Sequence, residues 1–417
     1  MRAGRLLVLL LLPVLAFAQD FQISGELRTL TTVDSYGASS VISMVGDETA
    51  VTEARIAARI MVHSKYDNGV SFTAHYENSF SKGEYLSALE ALHGRTAYPD
   101  LLARRSPSDD TQLFSLTEEY VDENGEQAYH RLDRLYAEYS RGDYNTRFGR
   151  QAVTWGHGKI FNPEDILNPF SPTDVFRDWK NGTDMLSFQT YTKMFSDVQT
   201  AIVPRRDAET REIRYDKSTA AAKLTKRGDS GDAEVLFGVH YDEAFIGAGT
   251  AADVGDAAVR ADAMVFDCSG GPCISAVANA DYSWVAFDRN MYGYAEFYYD
   301  SLGEDSIYNV MGNRELYERI QRGDIYLRDR YYGAAGLQYE AHPLVNLYAS
   351  IIYNMGDSSY IVQPRAVYDI RDNLRITAGL DIPSGNPGTE FGGFEDSLSR
   401  RMISPAKRIY GEVTLYF

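Results

Sequence analysis

Past its first residues the chain has no run of about eighteen residues free of charge, so none of it can cross a bilayer as a helix. Cysteine is scarce: there are 2, Cys268 and Cys273, which excludes a disulfide-dense scaffold. No C-x-x-C-H occurs, so any haem would belong to a partner. Positive charge is in the minority, 41 Lys and Arg against 59 Asp and Glu, for a net charge of -18. That balance argues against nucleic acid and anionic membrane surfaces as partners. What is abundant is 30 Tyr, 19 Phe and 34 Gly at a negative mean hydropathy. This composition suits a sheet in which only alternate residues face lipid.

The N-terminus reads as an address. Arg2 and Arg5 form a positive start, Leu6 to Val14 an apolar run, and Ala16-Phe17-Ala18 an A-x-A cleavage site. The run is too short for a spanning helix; the competing reading is a buried N-terminal helix. No Cys follows the cleavage site, which argues against a lipoprotein anchor. The expected division is a signal peptide over 1–18 and one barrel domain over 19–417.

Period-2 alternation recurs along the remainder. Ala54, Ile56, Ala58, Ile60 and Val62 alternate with Glu53, Arg55, Arg59 and His63; Leu374, Ile376, Ala378, Leu380 and Ile382 alternate with Arg375, Thr377 and Asp381. A helical period would not produce this. The pattern predicts about sixteen strands of membrane-crossing length. Their links alternate between short turns, such as Gly142-Asp143 and Arg371-Asp372, and long loops over 81–128, 156–183, 243–280 and 301–330. Short turns on one rim and long loops on the other predict an all-β fold, a transmembrane antiparallel up-and-down β-barrel of the bacterial outer membrane. A soluble β-sandwich is the alternative, but it would leave large apolar faces exposed to aggregation. Ile409, Val413, Leu415 and Phe417 alternate up to a terminal aromatic. This resembles the assembly signal of outer-membrane barrels and implies barrel assembly machinery, outer-membrane lipids and lipopolysaccharide as partners.

Glu84 to His93 and Arg314 to Arg322 read as short helices capping the outer rim, the second supported by Glu315/Arg319 and Glu318/Arg322 pairs. Cys268 and Cys273 bracket Ser-Gly-Gly-Pro and predict a disulfide-closed surface loop; a free-thiol or metal pair is the alternative. Glu118, Glu119, Asp122, Glu123 and Glu126 form an acidic run that is either a solvated loop or a holder of divalent cations bridging lipopolysaccharide.

Residues 147–185 stand apart. A strand ends in Gly149-Arg150-Gln151, Trp155-Gly156 follows, and then come Asn162-Pro163, Asp165, Asn168-Pro169 and Asp184. The Asn-Pro pairs forbid regular pairing and impose a defined turn-rich path. With Phe161, Ile166, Leu167, Phe170, Phe176 and Trp179 as apolar anchors, the loop is expected to fold inward and set the bore. The candidate constriction residues are Trp155, Asp165, Asp174, Arg177, Asp178 and Lys180. The pattern G-R-Q-x-x-x-W-G-x-G…N-P-x-D…N-P…G-x-D resembles that of bacterial outer-membrane barrel proteins, some porin-like, of poorly defined function. Arg150, Gln151, Trp155, Gly156, Asn162, Pro163, Asp165, Asn168, Pro169 and Asp184 match it. The resemblance implies an outer-membrane location and a porin-like architecture. Asn181-Gly182-Thr183-Asp184 departs from the Pro-Gly-x-Glu of some relatives.

With Tyr144, Thr146 and Phe148 facing lipid, Arg150 would face lipid too. A bulge at Gly149 is the expected remedy, turning Arg150 into the lumen. The other expected lumen charges are Arg55, Arg59, Glu77, Arg134, Glu138 and Arg147. A barrel of this size leaves an aqueous channel. The expected function is therefore passive diffusion of small hydrophilic solutes or ions, by a barrel compatible with a homo-oligomer. A non-conducting receptor, or a sheath around a partner protein, is the alternative. Gly228-Asp229-Ser230-Gly231 mimics a serine-protease nucleophile motif but sits at a hairpin turn with no companion motif, so no enzyme, cofactor or metal is expected.

Overall fold

The computed structural model describes residues 20–45, 49–98, 107–169 and 179–417; the expected signal peptide lies outside them. Strands β1 Asp20–Ser35, β2 Ala50–Lys65, β3 Val70–Gly83, β4 Thr117–Glu123, β5 Glu126–Arg141, β6 Tyr144–Gln151 and β7 Thr183–Thr190 form the first part. Then come β8 Asp197–Arg206, β9 Ile213–Gly228, β10 Gly231–His240, β11 Glu243–Val254, β12 Ala257–Cys268, β13 Gly271–Ala286 and β14 Arg289–Asp300. Last are β15 Tyr331–His342, β16 Val345–Asn354, β17 Tyr360–Arg371, β18 Leu374–Ser384, the loop pair β19 Phe394–Glu395 and β20 Met402–Ile403, and β21 Lys407–Tyr416.

Antiparallel ladders run from each wall strand to the next and close when β21 pairs with both β18 and β1. The ring has 18 strands, with β4 added beside the upper part of β5. Closure leaves the ring itself without an edge, the condition for β-structure in hydrocarbon. The faces alternate as the sequence does: Ile56 and Ile60 are 51% and 43% exposed on the outside, whereas Arg59 between them is 3% exposed. Both ends of the ring lie on the rim of short turns such as 142–143, 229–230 and 287–288, with Gly25 and Phe417 exchanging backbone hydrogen bonds at 2.8 and 2.9 Å.

The expected strand number falls short by two, and the two lie in 243–280. That stretch is not a long loop but β11, β12 and the first half of β13. Its outward residues include Ala244, Ala248, Ala261 and Ala263, and its inward ones include Gly247 and Gly249. Small residues on both faces erase the contrast on which alternation depends. Cys268 and Cys273 close a small loop, and that loop joins two wall strands. Their disulfide spans the tight β12–β13 turn, with Cα atoms 5.9 Å apart and both side chains buried.

In the long loops lie α1 Glu84–Leu92, α2 Ile307–Gly312 and α3 Arg314–Arg322. Gly323, left-handed at φ 81°, ends α3. Glu315 pairs with Arg319 at 3.0 Å as expected, whereas Glu318 pairs with Arg314 and Arg322 with Asp324. The Gly228–Gly231 segment is a two-residue hairpin turn.

Candidate functional site

β6 and β7 are short, and the chain between them leaves the wall. Its turns are tied locally first. Asn162 donates to Trp155 O at 2.8 Å, and Asn168 Oδ1 receives Val153 N–H at 3.0 Å while its amide donates to Asn181 O and Thr183 Oγ1, both at 2.8 Å. Gly156 has φ 84°, and a Cβ there would stand 2.2 Å from Asn162 Oδ1. The W-G and N-P elements are thus one interlocked turn system.

The segment then attaches to inward faces on both sides of its own strands. The Glu296 carboxylate of β14 accepts the N–H groups of Lys159, Ile160 and Phe161 at 2.6, 2.9 and 2.7 Å. Phe161 stacks on Tyr298 with ring centroids 5.0 Å apart and also packs against Tyr332. His157 meets Asp262 of β12 through its backbone N–H at 2.6 Å and its ring Nδ1 at 2.7 Å, and its carbonyl receives Asn279 Nδ2 at 3.1 Å. At the far end, Trp179 donates to Glu26 of β1 at 3.1 Å, and the Arg59 guanidinium of β2 lies over its ring at 5.0 Å. Non-helical backbone is tolerated at such depth because side chains from the wall satisfy its polar groups. Ile166 and Leu167 pack with Met185 and Val203 in a buried cluster.

The expected constriction set is only partly brought together. Trp155 is 1% exposed and donates to Gln199 at 2.8 Å, so it anchors the segment and does not border a passage. Its indole is drawn into the cluster of Ile166, Leu167 and Met185. Asp165 is buried too and pairs with Lys180; burial pushes its carboxyl up to about 6 although the ammonium opposes this. Lys180 retains partial exposure. Asp174, Arg177, Asp178, Phe170 and Phe176 lie outside the described residues.

Among the expected lumen charges, Arg59, Glu77 and Arg134 form one network with residues that the sequence did not single out. Arg59 pairs with Glu77 at 3.2 Å and with Asp133, Arg131 reaches Glu77 at 2.9 Å, and Arg134 reaches Asp133 at 2.8 Å and Lys180 O at 2.7 Å. Arg55 donates to Ser81 at 3.1 Å, and Glu138 pairs with Arg147. Arg150 corrects the expectation. The β5–β6 ladder passes through Gly149 without a register shift; the irregularity lies on β5, where Asp133 is the extra residue between Leu132 and Arg134. Arg150 is not a lumen charge. It is 3% exposed and enclosed by Asp184, Asp109 and the Phe114 carbonyl, because segment 109–116 covers the top of the short strands. Burial with matched acceptors resolves the register problem without a bulge at Gly149.

Sequence reading missed His157, Lys159, Glu164, Glu234, Asp262 and Glu296 as a group. Glu164 is fully buried against Gly247 and Gly249, and burial beside Glu234 holds its carboxyl above the ordinary range. Lys159 Nζ reaches Asp281 at 2.8 Å and Tyr292 at 2.7 Å.

No protein-family model matches the chain, and no curated protein matches it in sequence. Among solved structures it is similar to Acinetobacter baumannii OccAB3, at TM-score 0.54 and 10% identity over 95% of this chain and 99% of that one. It is likewise similar to Pseudomonas aeruginosa OccK5 (OpdH), at 0.53 and 12% over 96% and 99%. A BenF-like porin from Pseudomonas fluorescens Pf-5 matches at 0.53 and 10% over 96% and 99%. Likeness at these identities is likeness of fold: this chain shares the whole closed antiparallel barrel with them.

Proposed function

We propose that this protein is an outer-membrane channel for passive diffusion of small hydrophilic solutes or ions, exported with a signal peptide over 1–18. The observation that carries the reading is the segment between β6 and β7. Its described parts are bonded to inward side chains of a barrel wide enough for water, the part before residue 170 at Glu296 and the part from residue 179 at Glu26. Such a segment narrows a bore and lines it with fixed charges, as Lys159 beside Asp281 and the partly exposed Lys180 illustrate. A structural neighbour described as a BenF-like porin supports the same reading. Outer-membrane lipids, lipopolysaccharide and the barrel assembly machinery are its partners in this view, and no catalytic step is assigned to it.

Reconstitution of the purified, heat-modifiable barrel in a planar bilayer tests the proposal. Discrete ohmic conductance steps are expected from the protein alone. Correctly folded protein that inserts and conducts nothing would leave the sheath or receptor reading instead.

A further inference from the structure

We infer that Glu164, Glu234, Asp262 and His157 form a binding site for one divalent transition-metal ion of the zinc class, inside the barrel, which pins the inward segment to β10 and β12. Three of the four are drawn together closely: one donor atom each of His157, Glu234 and Asp262 lies within 4.8 Å of the others. His157 Nδ1 is 2.7 Å from Asp262 Oδ1 and 3.7 Å from Glu234 Oε1. Donor atoms around a tetrahedral zinc ion, with bonds of about 2.1 Å, stand about 3.4 Å apart, between those two separations.

Glu164 points to a ligand independently of that cluster. It is 0% exposed, and among the described residues no N–H or hydroxyl donor reaches either of its carboxylate oxygens; its side-chain neighbour is the Glu234 carboxyl, whose Oε1 lacks a donor as well. A Cβ on Gly249 would stand 3.3 Å from Glu164 Oε1, 2.5 Å from Asp262 Oδ1 and 3.0 Å from Glu234 Cγ. All three acids therefore converge over one glycine, where no side chain fills the space. An enclosed carboxylate without a partner is strongly unfavourable, so the arrangement calls for a metal cation or a shared proton. The one Lys or Arg in ion-pair contact with the set among the described residues is Lys223, on Glu234 at 3.2 Å, which leaves two negative charges for a divalent ion. An imidazole among carboxylates favours zinc, manganese or iron over calcium or magnesium. The ligands come from the loop and two wall strands, and so form no sequence motif.

The test uses untagged, folded protein stripped with a chelator and equilibrated with zinc chloride in detergent. One zinc per chain is expected, bound at least tenfold more weakly by Glu164→Gln and by His157→Gln, with heat-modifiable mobility unchanged. Zinc below 0.1 per chain (roughly the adventitious level), or equal binding by both variants, would overturn the site. Calcium held by the same residues in place of zinc would overturn the ion class. Loss in Glu164→Gln of a carboxylic-acid infrared band from zinc-free protein that takes up no metal would assign a shared proton and overturn the proposal. Should a variant not fold, wild-type protein loaded with cobalt(II) decides. Intense visible bands of a four-coordinate ion, displaced by zinc, support the site; a weak octahedral spectrum refutes it.

Discussion

Arg150 and Asp184 face each other across the β6–β7 ladder, Nε to Oδ1 at 2.8 Å and one terminal nitrogen to Oδ2 at 3.0 Å, with Asp184 entirely buried. The pair sits where the wall strands stop and the chain turns inward. The third guanidinium nitrogen holds Asp109 at 2.7 Å, and Phe114 N–H reaches Asp184 at 2.7 Å. One arginine thus binds the covering segment 109–116 to both edges of the opening.

Removing Arg150 leaves a buried carboxylate without its charge partner, a change that costs about 3–5 kcal/mol. Arg150→Ala is expected to lower the unfolding free energy of the barrel, measured by urea titration, by that amount. Arg150→Lys recovers only part, because an ammonium cannot reproduce the two-pronged geometry. Arg150→Met combined with Asp184→Leu should be more stable than Arg150→Ala alone, since the fully buried charge of Asp184 is then not stranded and only Asp109 is left without its partner. An Arg150→Ala barrel within about 0.5 kcal/mol of the parent, near the usual spread for a surface substitution, would show that the pair does not hold the junction.

How far the sequence discloses this architecture depends on contrast between neighbouring positions. Where Ile56 and Ile60 alternate with Arg55 and Arg59, strand, face and register are all readable. Between 243 and 280 alanine and glycine occupy both faces, and two strands disappear from view. The Asn-Pro turns and the apolar anchors Phe161, Ile166, Leu167 and Trp179 announce an inward segment because their signals are local. Its receptors do not: Glu296 accepts three successive N–H groups from residues more than 130 positions away, and nothing around Glu296 marks it for that. The surroundings of Arg150 are illegible for the same reason, since its acceptors Asp109 and Phe114 arrive from another loop.

The Cys268–Cys273 bond closes a very small loop, for which the entropic gain is about 2 kcal/mol. The paired Cys→Ser variant should therefore assemble and keep its heat-dependent gel mobility, with an unfolding free energy lowered by no more than roughly that amount. Thiol labelling of unreduced parent protein in denaturant should find none. Reaction of both cysteines under those conditions would remove the bond from the description.

The seam between β1 and β21 is finished by Gly25 and Phe417. A Cβ at Gly25 would stand 2.5 Å from the Phe417 ring and 2.7 Å from the Arg59 carbonyl oxygen. Gly25→Val is therefore expected to slow or reduce closure of the barrel, and deletion of Phe417 to impair assembly more severely. Both are read from the fraction of protein that runs as the compact, unheated form. Wild-type yield of that form in both variants would mean that the seam does not need its terminal residue.

The segment between β6 and β7 yields the prediction closest to function. Phe161 holds it to Tyr298 and Tyr332, and Trp179 to Glu26 and Arg59, on opposite sides of its own strands. Replacing 160–178 with a short Gly/Ser link removes the first anchor and the chain between the two. Single-channel conductance should then rise, because the passage gains cross-section while the wall ladders stay intact. Charge acts in the same place. Fixed charges in a narrow, partly low-dielectric passage act on ions more strongly than in bulk water. The aspartates that the sequence places in the segment, Asp174 and Asp178, should favour cations; Asp174→Lys with Asp178→Lys should shift reversal potentials toward anion preference. Raising ionic strength to about 1 M shortens the screening length to roughly 3 Å, so the shift should shrink there. Variants that fold, insert and conduct with unchanged amplitude and selectivity at low salt would place the segment outside the permeation path.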